Sequence, residues 1–233
     1  MACDPFWNKT VLACHFDGTN GSTTFTDEKG HTLTANGNVQ ISTTQSKFGG
    51  ASAYFDGAGD YLVIPGDDMN IAQGDFTVEG WLYSGNTAGL GGTRNIAHFN
   101  AGSSGGLHIH RSDAGMLVVD NGSSATTHGN IVIQPFIWTH FAVVRSGSTV
   151  KGYVNGVECL SHTAQTYAAA TQVQIARYWN ASNVGDFLGY IDDLRITKAA
   201  RYTANFTPPT SAFKDYALAG DENALVFDRV VPS

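Results

Sequence analysis

Two adjacent acidic residues, Asp192 and Asp193, lie in a strand-like run of apolar residues near the carboxyl end of the chain. A carboxylate that is buried without a partner destabilises a protein strongly, so we expect a cation or a dense set of hydrogen-bond donors beside this pair. Because successive side chains of a strand point to opposite faces of a sheet, the two carboxylates are predicted to lie on opposite faces. One of them then serves the core or a metal ion, and the other faces a neighbouring residue or water.

Asp17 begins a glycine-rich turn, Asp-Gly-Thr-Asn-Gly, directly after a predicted strand. Calcium takes about six to eight oxygen ligands, and such turns expose backbone carbonyl groups beside carboxylates. Two interpretations stay open. In the first, Asp17 and one of Asp192 and Asp193 hold a structural calcium ion that ties the two ends of the domain together. In the second, Asp17 caps its turn and the paired aspartates accept backbone hydrogen bonds.

His108 and His110 share one face of a predicted strand, and Asp113 follows shortly after them. Histidines two residues apart can bind one zinc ion together. A third and a fourth ligand at matching spacing are not evident in the sequence. The pattern therefore favours a polar, outward-facing strand surface.

One face of the predicted strand over residues 76–83 carries Glu79, Trp81 and Tyr83. Aromatic rings stack on the apolar faces of sugars, and carboxylates bind sugar hydroxyl groups, so this face is a candidate sugar-binding surface. The alternative is a strand that is covered on both faces. In that case Trp81 is packed inside the protein and Glu79 is satisfied by a neighbouring hydrogen bond.

The polar segment 178–186, between two predicted strands, presents Trp179 with Asn180, Asn183 and Asp186. Binding residues usually lie on the loops of a rigid scaffold. One apolar ring surrounded by hydrogen-bonding groups suits a sugar or a small protein contact. These four residues form the predicted ligand-binding site. In the alternative, Trp179 packs over the edge of a sheet.

Catalysis is not predicted for this chain. Glycoside hydrolysis needs two positioned carboxylates. No predicted strand carries acidic residues alternating along one face. Glutamate occurs at only four positions, which are Glu28, Glu79, Glu158 and Glu222.

The charge balance argues against nucleic acid as a partner. The net charge is −7, and no cluster of lysine and arginine is present that could replace the counterions of a phosphate backbone. The longest apolar runs are shorter than the about 20 residues that a membrane span needs. An odd number of cysteines and the lack of a signal-peptide pattern predict synthesis in a reducing cytoplasm, without membrane insertion.

Short β-prone runs separated by turn signals follow one another along the chain. Asn155-Gly156, between two such runs, is typical of a two-residue hairpin turn. About fourteen such runs and almost no helical periodicity predict an all-β fold of two packed antiparallel sheets. One short helical turn is predicted near residues 197–202.

The domain is predicted to occupy residues 11–213, between two short terminal arms. The N-terminal arm is residues 1–10, which include Phe6 and Trp7, and the C-terminal arm or extra strand is residues 214–233. Unpaired strand edges and clustered apolar residues invite association, so we expect the arms to contact another subunit. The alternative is that they fold back on their own domain.

Several motifs, taken in chain order, resemble the laminin-G-like, concanavalin-type jelly-roll family. They lie at residues 55–61, 76–83, 138–145, 152–156 and 189–202. The resemblance covers roughly residues 11–209 and implies a two-sheet antiparallel jelly-roll sandwich. It also carries Asp17, Asp192 and Asp193 over as ligands of a structural calcium ion. The closing run 200–209 is similar to versions of this domain in bacteriophage structural proteins.

Two classes of function follow from this resemblance. The first is a non-enzymatic virion surface protein, such as a capsid decoration, fibre or tail appendage, whose partners are other virion proteins or identical subunits. The second is a carbohydrate-binding, lectin-like adhesion module whose partner is a cell-surface glycan. A fold alone does not decide between them.

Overall fold

The computed structural model describes residues 4–71, 74–85, 93–100, 105–121, 126–178 and 185–216. Within these residues the chain forms two antiparallel sheets of eight strands each. Two short 3-10 helices, Trp7–Lys9 and Asp67–Met69, accompany them. The predicted all-β, two-sheet antiparallel jelly-roll sandwich is confirmed. No helix in the described ranges is long and apolar enough to cross a lipid bilayer.

The strands are numbered β1 to β16 in chain order. The first sheet contains β1 (Thr10–Cys14), β4 (Gln40–Ser42), β5 (Ser52–Asp56), β7 (Phe76–Ser84), β12 (Thr139–Ser146), β13 (Thr149–Val154), β14 (Val157–Thr163) and β16 (Leu188–Thr197). The second sheet contains β2 (Phe25–Thr26), β3 (Thr32–Asn36), β6 (Tyr61–Pro65), β8 (Arg94–Asn100), β9 (His108–Arg111), β10 (Met116–Asp120), β11 (Thr127–Val132) and β15 (Gln172–Ile175).

The order of the strands follows from their pairing. The first sheet runs β14-β13-β12-β7-β16-β5-β4, and β1 pairs with the second half of β16. The second sheet runs β11-β10-β9-β8-β15-β6-β3-β2. The hairpin predicted at Asn155-Gly156 connects β13 and β14, with positive φ angles of 49° and 75° at the two turn residues.

The core lies between the two sheets and is built from the inward side chains of alternating strand positions. Val78 and Phe141 contribute from the first sheet, and Phe99 and Ile109 from the second, all of them buried. Burial of one such side chain stabilises the fold by about 1.5–3 kcal/mol. The alternation leaves the other side chains of each strand on the two outer faces of the sandwich.

The chain after β16 covers part of the outer face of the first sheet. Tyr202 and Phe206 stack with ring centroids 3.6 Å apart and pack on Ala142, Val144 and Tyr153. The backbone N–H of Phe206 donates to the carbonyl of Gly156 over 2.9 Å. This part of the outer face is therefore a second, smaller packed layer.

The N-terminal residues that the structure describes fold back on their own domain. Asp4 is buried and binds Arg201 Nη2 at 2.6 Å and Arg195 Nη1 at 3.1 Å. Its backbone N–H donates to the carbonyl of Tyr216 over 2.9 Å. Phe6 lies under the Arg201 guanidinium at 5.0 Å. Residues 225–227 of the C-terminal arm lie outside the described part of the chain.

Two predictions about β16 are wrong. Residues 198–202 form no helix, because β16 continues to Thr197 and an extended turn follows. Asp192 and Asp193 do not alternate between two faces, because a β-bulge interrupts the pairing with β7 and places Asp193 at a φ of 50°. A bulge adds one unpaired residue and resets the alternation of side chains.

Candidate ligand-binding site

Four aromatic side chains form a continuous row on the outer face of the first sheet. Tyr190 on β16 lies directly opposite Tyr54 on β5 and Tyr83 on β7. The ring centroids are 4.9 Å apart for Tyr54 and Tyr190 and 5.8 Å apart for Tyr83 and Tyr190. Trp138, just before β12, continues the line 5.5 Å from Tyr83. We call Tyr54, Tyr190, Tyr83 and Trp138 the aromatic row.

The aromatic row crosses four adjacent strands, β5, β16, β7 and the start of β12. With strands about 4.8 Å apart, it spans about 14 Å. Cross-strand aromatic pairs stabilise a sheet, which accounts for the placement of the three tyrosines on directly opposed positions. A surface of this length is large enough for an extended ligand.

The aromatic row is accessible to solvent. All four side chains are partly exposed, and beside them Phe136 is 53% exposed and Ile137 58%. Within the described chain no hydrogen bond is made by the hydroxyl of Tyr54, Tyr83 or Tyr190. These hydroxyl groups are therefore available to a ligand.

The loop before β12 holds the exposed end of the aromatic row in place. The backbone N–H of Phe136 donates to the carbonyl of Ser84 over 2.9 Å, and Phe136 has a φ of 59°. A left-handed conformation is uncommon for a bulky residue and persists only where its surroundings fix it. The Phe136 ring consequently lies 6.3 Å from Tyr83.

Glu79 and Trp81, on the same strand face as Tyr83, are not available to a ligand. Glu79 is fully buried and accepts hydrogen bonds from Arg195 Nη2 at 2.7 Å and from the Tyr202 hydroxyl at 2.8 Å. Burial raises the pKa of Glu79, but Arg195, His140 and Arg201 outweigh burial and hold this pKa at about 2.

Trp81 is covered as well. Its ring packs edge-on against Phe48 with centroids 5.8 Å apart, and Lys47 Nζ lies over it at 3.9 Å. The interpretation of β7 as a strand covered on both faces therefore holds for Glu79 and Trp81. Tyr83 alone of these three belongs to the accessible part of the face.

A second group of polar side chains lies on the outer face of the second sheet. It consists of His98, His108, His110 and Asp120, which we call the histidine cluster. Asp120 on β10 is directly opposite His108 on β9, and His98 on β8 is opposite His108 on the other side. All four side chains are buried.

The members of the histidine cluster lie close together. His108 Nδ1 is 3.3 Å from Asp120 Oδ1, and His110 Nδ1 is 3.4 Å from Asp120 Oδ2. Burial and the neighbouring His108 lower the pKa values of His98 and His110 to about 3. Both rings are therefore neutral at physiological pH.

Asp120 was not predicted from the sequence as a partner of the two histidines. The acidic residue noted in the sequence as following the histidines is Asp113, which is exposed in the turn between β9 and β10. The signal that identifies Asp120 is the register of this hairpin, because a tight turn around Gly115 pairs residue 108 with residue 120. The aromatic row was missed for the same reason, since Tyr54, Tyr83 and Tyr190 are far apart in sequence and meet only by strand pairing.

The predicted calcium ligands lie where the end of β1 meets the bulge of β16. Asp192 Oδ2 accepts the backbone N–H groups of Lys47 at 2.6 Å and Phe48 at 3.1 Å. Asp193 uses both oxygens, binding His15 Nδ1 at 2.6 Å and the N–H of Phe213 at 2.8 Å. Both aspartates thus accept backbone hydrogen bonds, as the interpretation without calcium predicts.

Asp192 is buried near two other carboxylates, those of Asp193 and Asp17. Burial raises the pKa of Asp192 to about 7 against the effect of its two N–H donors, and the charges of Asp193 and Asp17 add to the rise. The Asp17 carboxylate lies directly over Gly49, so close that a β-carbon on residue 49 would overlap it. In the described part of the chain, Asp17, Asp192 and Asp193 are not a set of three ligand groups within 4.8 Å of one another, and the calcium site stays a prediction.

Most of the predicted loop site lies outside the described residues. Trp179, Asn180 and Asn183 are among the residues that the structure does not describe. Asp186 is fully buried, accepts the N–H of Gly59 at 2.8 Å and lies 3.6 Å from Arg177 Nε. Its carboxylate is engaged within the chain.

A family model described as the concanavalin A-like lectin/glucanases superfamily matches residues 55–205. The chain belongs to this superfamily. The match confirms the resemblance drawn from the sequence motifs. A comparison with curated proteins gives no match.

Solved structures share the fold at low sequence identity. A serotype D/C botulinum neurotoxin binding domain has a TM-score of 0.64 at 11% identity, covering 84% of this chain and 50% of that chain. A type C botulinum neurotoxin structure, described with cell entry dependent on two ganglioside molecules, has a TM-score of 0.62 at 13% identity, covering 84% and 49%. The present chain, as a member of the superfamily, thus spans about half the length of those two toxin chains.

A third structure matches over nearly its whole length. Domain 4 of AbnA, an extracellular arabinanase from Geobacillus stearothermophilus, was solved in complex with arabinotriose. Its TM-score is 0.60 at 21% identity, covering 82% of this chain and 93% of that chain. At these identities the three likenesses show a common fold.

Proposed function

We propose that this chain is a non-enzymatic, lectin-like module that binds an oligosaccharide across the aromatic row. The observation that carries the proposal is the directly opposed, partly exposed set Tyr54, Tyr190 and Tyr83, extended by Trp138. Aromatic rings offer apolar plates to the C–H faces of sugars, and the phenol hydroxyls offer hydrogen bonds at the rims of those plates. The structural neighbours support the proposal, since one was solved in complex with arabinotriose and another is described with cell entry dependent on two ganglioside molecules.

Binding rather than hydrolysis is proposed because of the chemistry of the row. Its four side chains supply rings and hydroxyl groups, and hydrolysis of a glycosidic bond requires a pair of carboxylates beside the bond. Glu79 on the neighbouring position of β7 is buried and held by Arg195. A carboxylate so engaged has neither the access nor the proton affinity of a catalytic acid.

The experiment is a glycan array with the purified protein, followed by titration calorimetry with the best ligand. Trp138→Ala and Tyr83→Ala are each expected to weaken binding by roughly 1–2 kcal/mol, a loss of about 5- to 30-fold. Val157→Ala is the matched control, because Val157 is 46% exposed but lies on β14, away from the row. Unchanged affinity in both aromatic variants would overturn the assignment of the row.

The loop 178–186 remains a second location for the same function. Trp179→Ala tests it in the same titration, beside the variants of the aromatic row. Loss of affinity in Trp179→Ala alone would move the proposed sugar contact to Trp179, Asn180 and Asn183. Loss of stability without loss of affinity would assign Trp179 to packing over the sheet edge.

A virion surface role is the second candidate function, as a capsid decoration, fibre or tail appendage. It is favoured by the exposed apolar pair Phe136 and Ile137 at the end of the aromatic row, since clustered exposed apolar residues mark protein contacts. The proposed partner is an identical subunit or another virion protein. Sedimentation velocity of the wild type and of Ile137→Asp tests it. A monomer at all concentrations, with no incorporation into particles, would reject this role.

A further inference from the structure

Three members of the histidine cluster, His108, His110 and Asp120, have ligand atoms at the separations expected on a tetrahedral metal ion. His108 Nδ1 lies 3.2 Å from His110 Nδ1, and these atoms lie 3.3 and 3.4 Å from the two oxygens of Asp120. Two ligand atoms on a tetrahedral zinc ion, each about 2.0–2.1 Å from the metal, are about 3.3 Å apart. In the described part of the chain this is the one set of three ligand groups that lie within 4.8 Å of one another.

A neighbouring amide fixes the tautomer of His108. Asn95 Nδ2 donates to the carbonyl of Gly185 at 2.7 Å, so Asn95 Oδ1 faces His108 Nε2, also at 2.7 Å. Because Oδ1 is an acceptor, Nε2 of the neutral ring carries the hydrogen and Nδ1 presents its lone pair toward His110 and Asp120. A hydrogen bond from the far nitrogen is the usual way in which a protein orients a metal-binding histidine.

A third histidine, His98, lies beside His108 and is covered by Tyr178. His98 is 1% exposed, and its Nδ1 has no hydrogen-bond partner. The Tyr178 ring lies 4.8 Å from the His98 ring and 4.7 Å from the His108 ring. A buried polar atom without a partner is costly, which favours a bound water or ion near this nitrogen.

We propose that His108, His110 and Asp120 bind one zinc ion, with a fourth position open to water. Two imidazole nitrogens and one carboxylate are ligands that suit zinc, whereas calcium prefers an all-oxygen set. The site joins β9 to β10 on the outer face of the second sheet. It is independent of the aromatic row, which lies on the other sheet.

The first test measures metal binding by the full-length protein after removal of any affinity tag. The chain is stripped with a chelator, dialysed against zinc and subjected to elemental analysis and thermal unfolding. We expect about one zinc per chain and a rise in melting temperature. Absence of bound zinc in the folded wild type would overturn the proposal.

Variants locate the ion. His110→Ala and Asp120→Asn are expected to lose the bound zinc and the thermal response, and Asn95→Ala is expected to weaken binding about 10- to 100-fold. His31→Asn is the matched control, because His31 also contacts two carboxylates, Asp27 at 3.1 Å and Asp68 at 2.9 Å. Retention of zinc by His110→Ala and Asp120→Asn, or its loss in His31→Asn, would place the ion elsewhere.

A spectroscopic measurement keeps the proposal testable if a ligand variant does not fold. Cobalt bound to the wild type in place of zinc gives strong visible absorption when it is four-coordinate and weak absorption when it is six-coordinate. We expect the strong spectrum. The weak spectrum would contradict a tetrahedral site. Glycan titration with and without zinc would show whether the ion changes the affinity of the aromatic row.

Discussion

Glu79 keeps its charge in the middle of a sheet because three cationic or donor groups converge on it. Arg195 contacts its Oε1 through two nitrogens at 3.0 and 2.7 Å, and the Tyr202 hydroxyl donates to Oε2 at 2.8 Å. Arg201 lies 3.5 Å from Oε1. The same two arginines bind Asp4, so the network joins β7 and β16 to both ends of the described chain.

This network predicts a loss of stability in acid. The folded pKa of Glu79 is about 2, below its ordinary value of 4.5, so its contribution is full above pH 4.5 and is lost as the pH falls toward 2. Glu79→Gln is expected to lower the free energy of unfolding by about 3–5 kcal/mol at pH 7, because it leaves buried guanidinium groups without their partner. Urea titrations of wild type and variant at several pH values measure this difference.

The matched control for this prediction is Glu158→Gln. Glu158 pairs with Lys151 at 2.9 Å at the surface, where the two side chains are 35% and 30% exposed. Exposed pairs of this kind contribute less than about 1 kcal/mol. Equal effects of the two substitutions, or a wild-type advantage over Glu79→Gln that persists unchanged at pH 2, would contradict the assigned role of Glu79.

Single residues were predictable where their partners are close in sequence. The positive φ angles at Asn155 and Gly156 follow from the local demands of a two-residue turn. The partners of Glu79 were not predictable, because Arg195 is 116 positions away and Tyr202 is 123 positions away. Only the strand pairing of β7 with β16 brings them together.

At the scale of elements, β16 organises the first sheet. It pairs with β7 along its length, with β5 through its first half and with β1 through its second half. The change of partner coincides with the bulge at Asp192 and Asp193. The sequence indicated the strand from its apolar pattern, but strict alternation could not anticipate the extra residue of the bulge.

We expect calcium to stabilise the contact between the end of β1 and the bulge of β16, through Asp17 and the free oxygen of Asp192. An ion present at a hundred times its dissociation constant would stabilise the native state by about 2.7 kcal/mol. The melting temperature should fall with a chelator and recover with calcium but not with equal magnesium, which tolerates irregular oxygen cages poorly. Asp17→Asn should abolish this response.

A zinc effect must be separated from a calcium effect in this measurement. Asp120→Asn serves as the control variant, because it alters the histidine cluster and leaves Asp17 and Asp192 intact. A calcium response in Asp17→Asn equal to that of the wild type would reject the calcium site. So would a wild-type melting curve insensitive to chelator, once elemental analysis shows that no calcium remains bound.

At the scale of the whole molecule, the sandwich includes residues on both sides of the predicted domain boundary. Asp4 lies in the predicted N-terminal arm, yet it is buried against Arg195 and Arg201. The overall fold could be predicted because an alternating pattern repeated over many strands is a redundant signal. The packing of residues before β1 and after β16 could not, because these segments carry no periodic pattern.

Deletion of residues 1–9 is therefore expected to destabilise the domain itself. The deletion leaves the guanidinium groups of Arg195 and Arg201 with one carboxylate fewer, at a cost of several kcal/mol. Asp4→Asn tests the charge alone. Thermal unfolding and sedimentation of both proteins measure stability and assembly separately. Unaltered stability with altered assembly would instead favour the arm as a contact to another subunit.

The hydrogen bond between Asp4 and Tyr216 has a consequence for how such a sandwich can be combined with other polypeptides. The backbone nitrogen and oxygen are 2.9 Å apart, so the path through the two sheets begins and finishes at one spot. Residues 4–216 could therefore be inserted into a loop of an unrelated protein without moving the two ends of that loop apart, because adjacent termini allow domain insertion. By the same geometry, a short bridge between these residues would permit circular permutation, with new termini opened at a hairpin such as Asn155-Gly156.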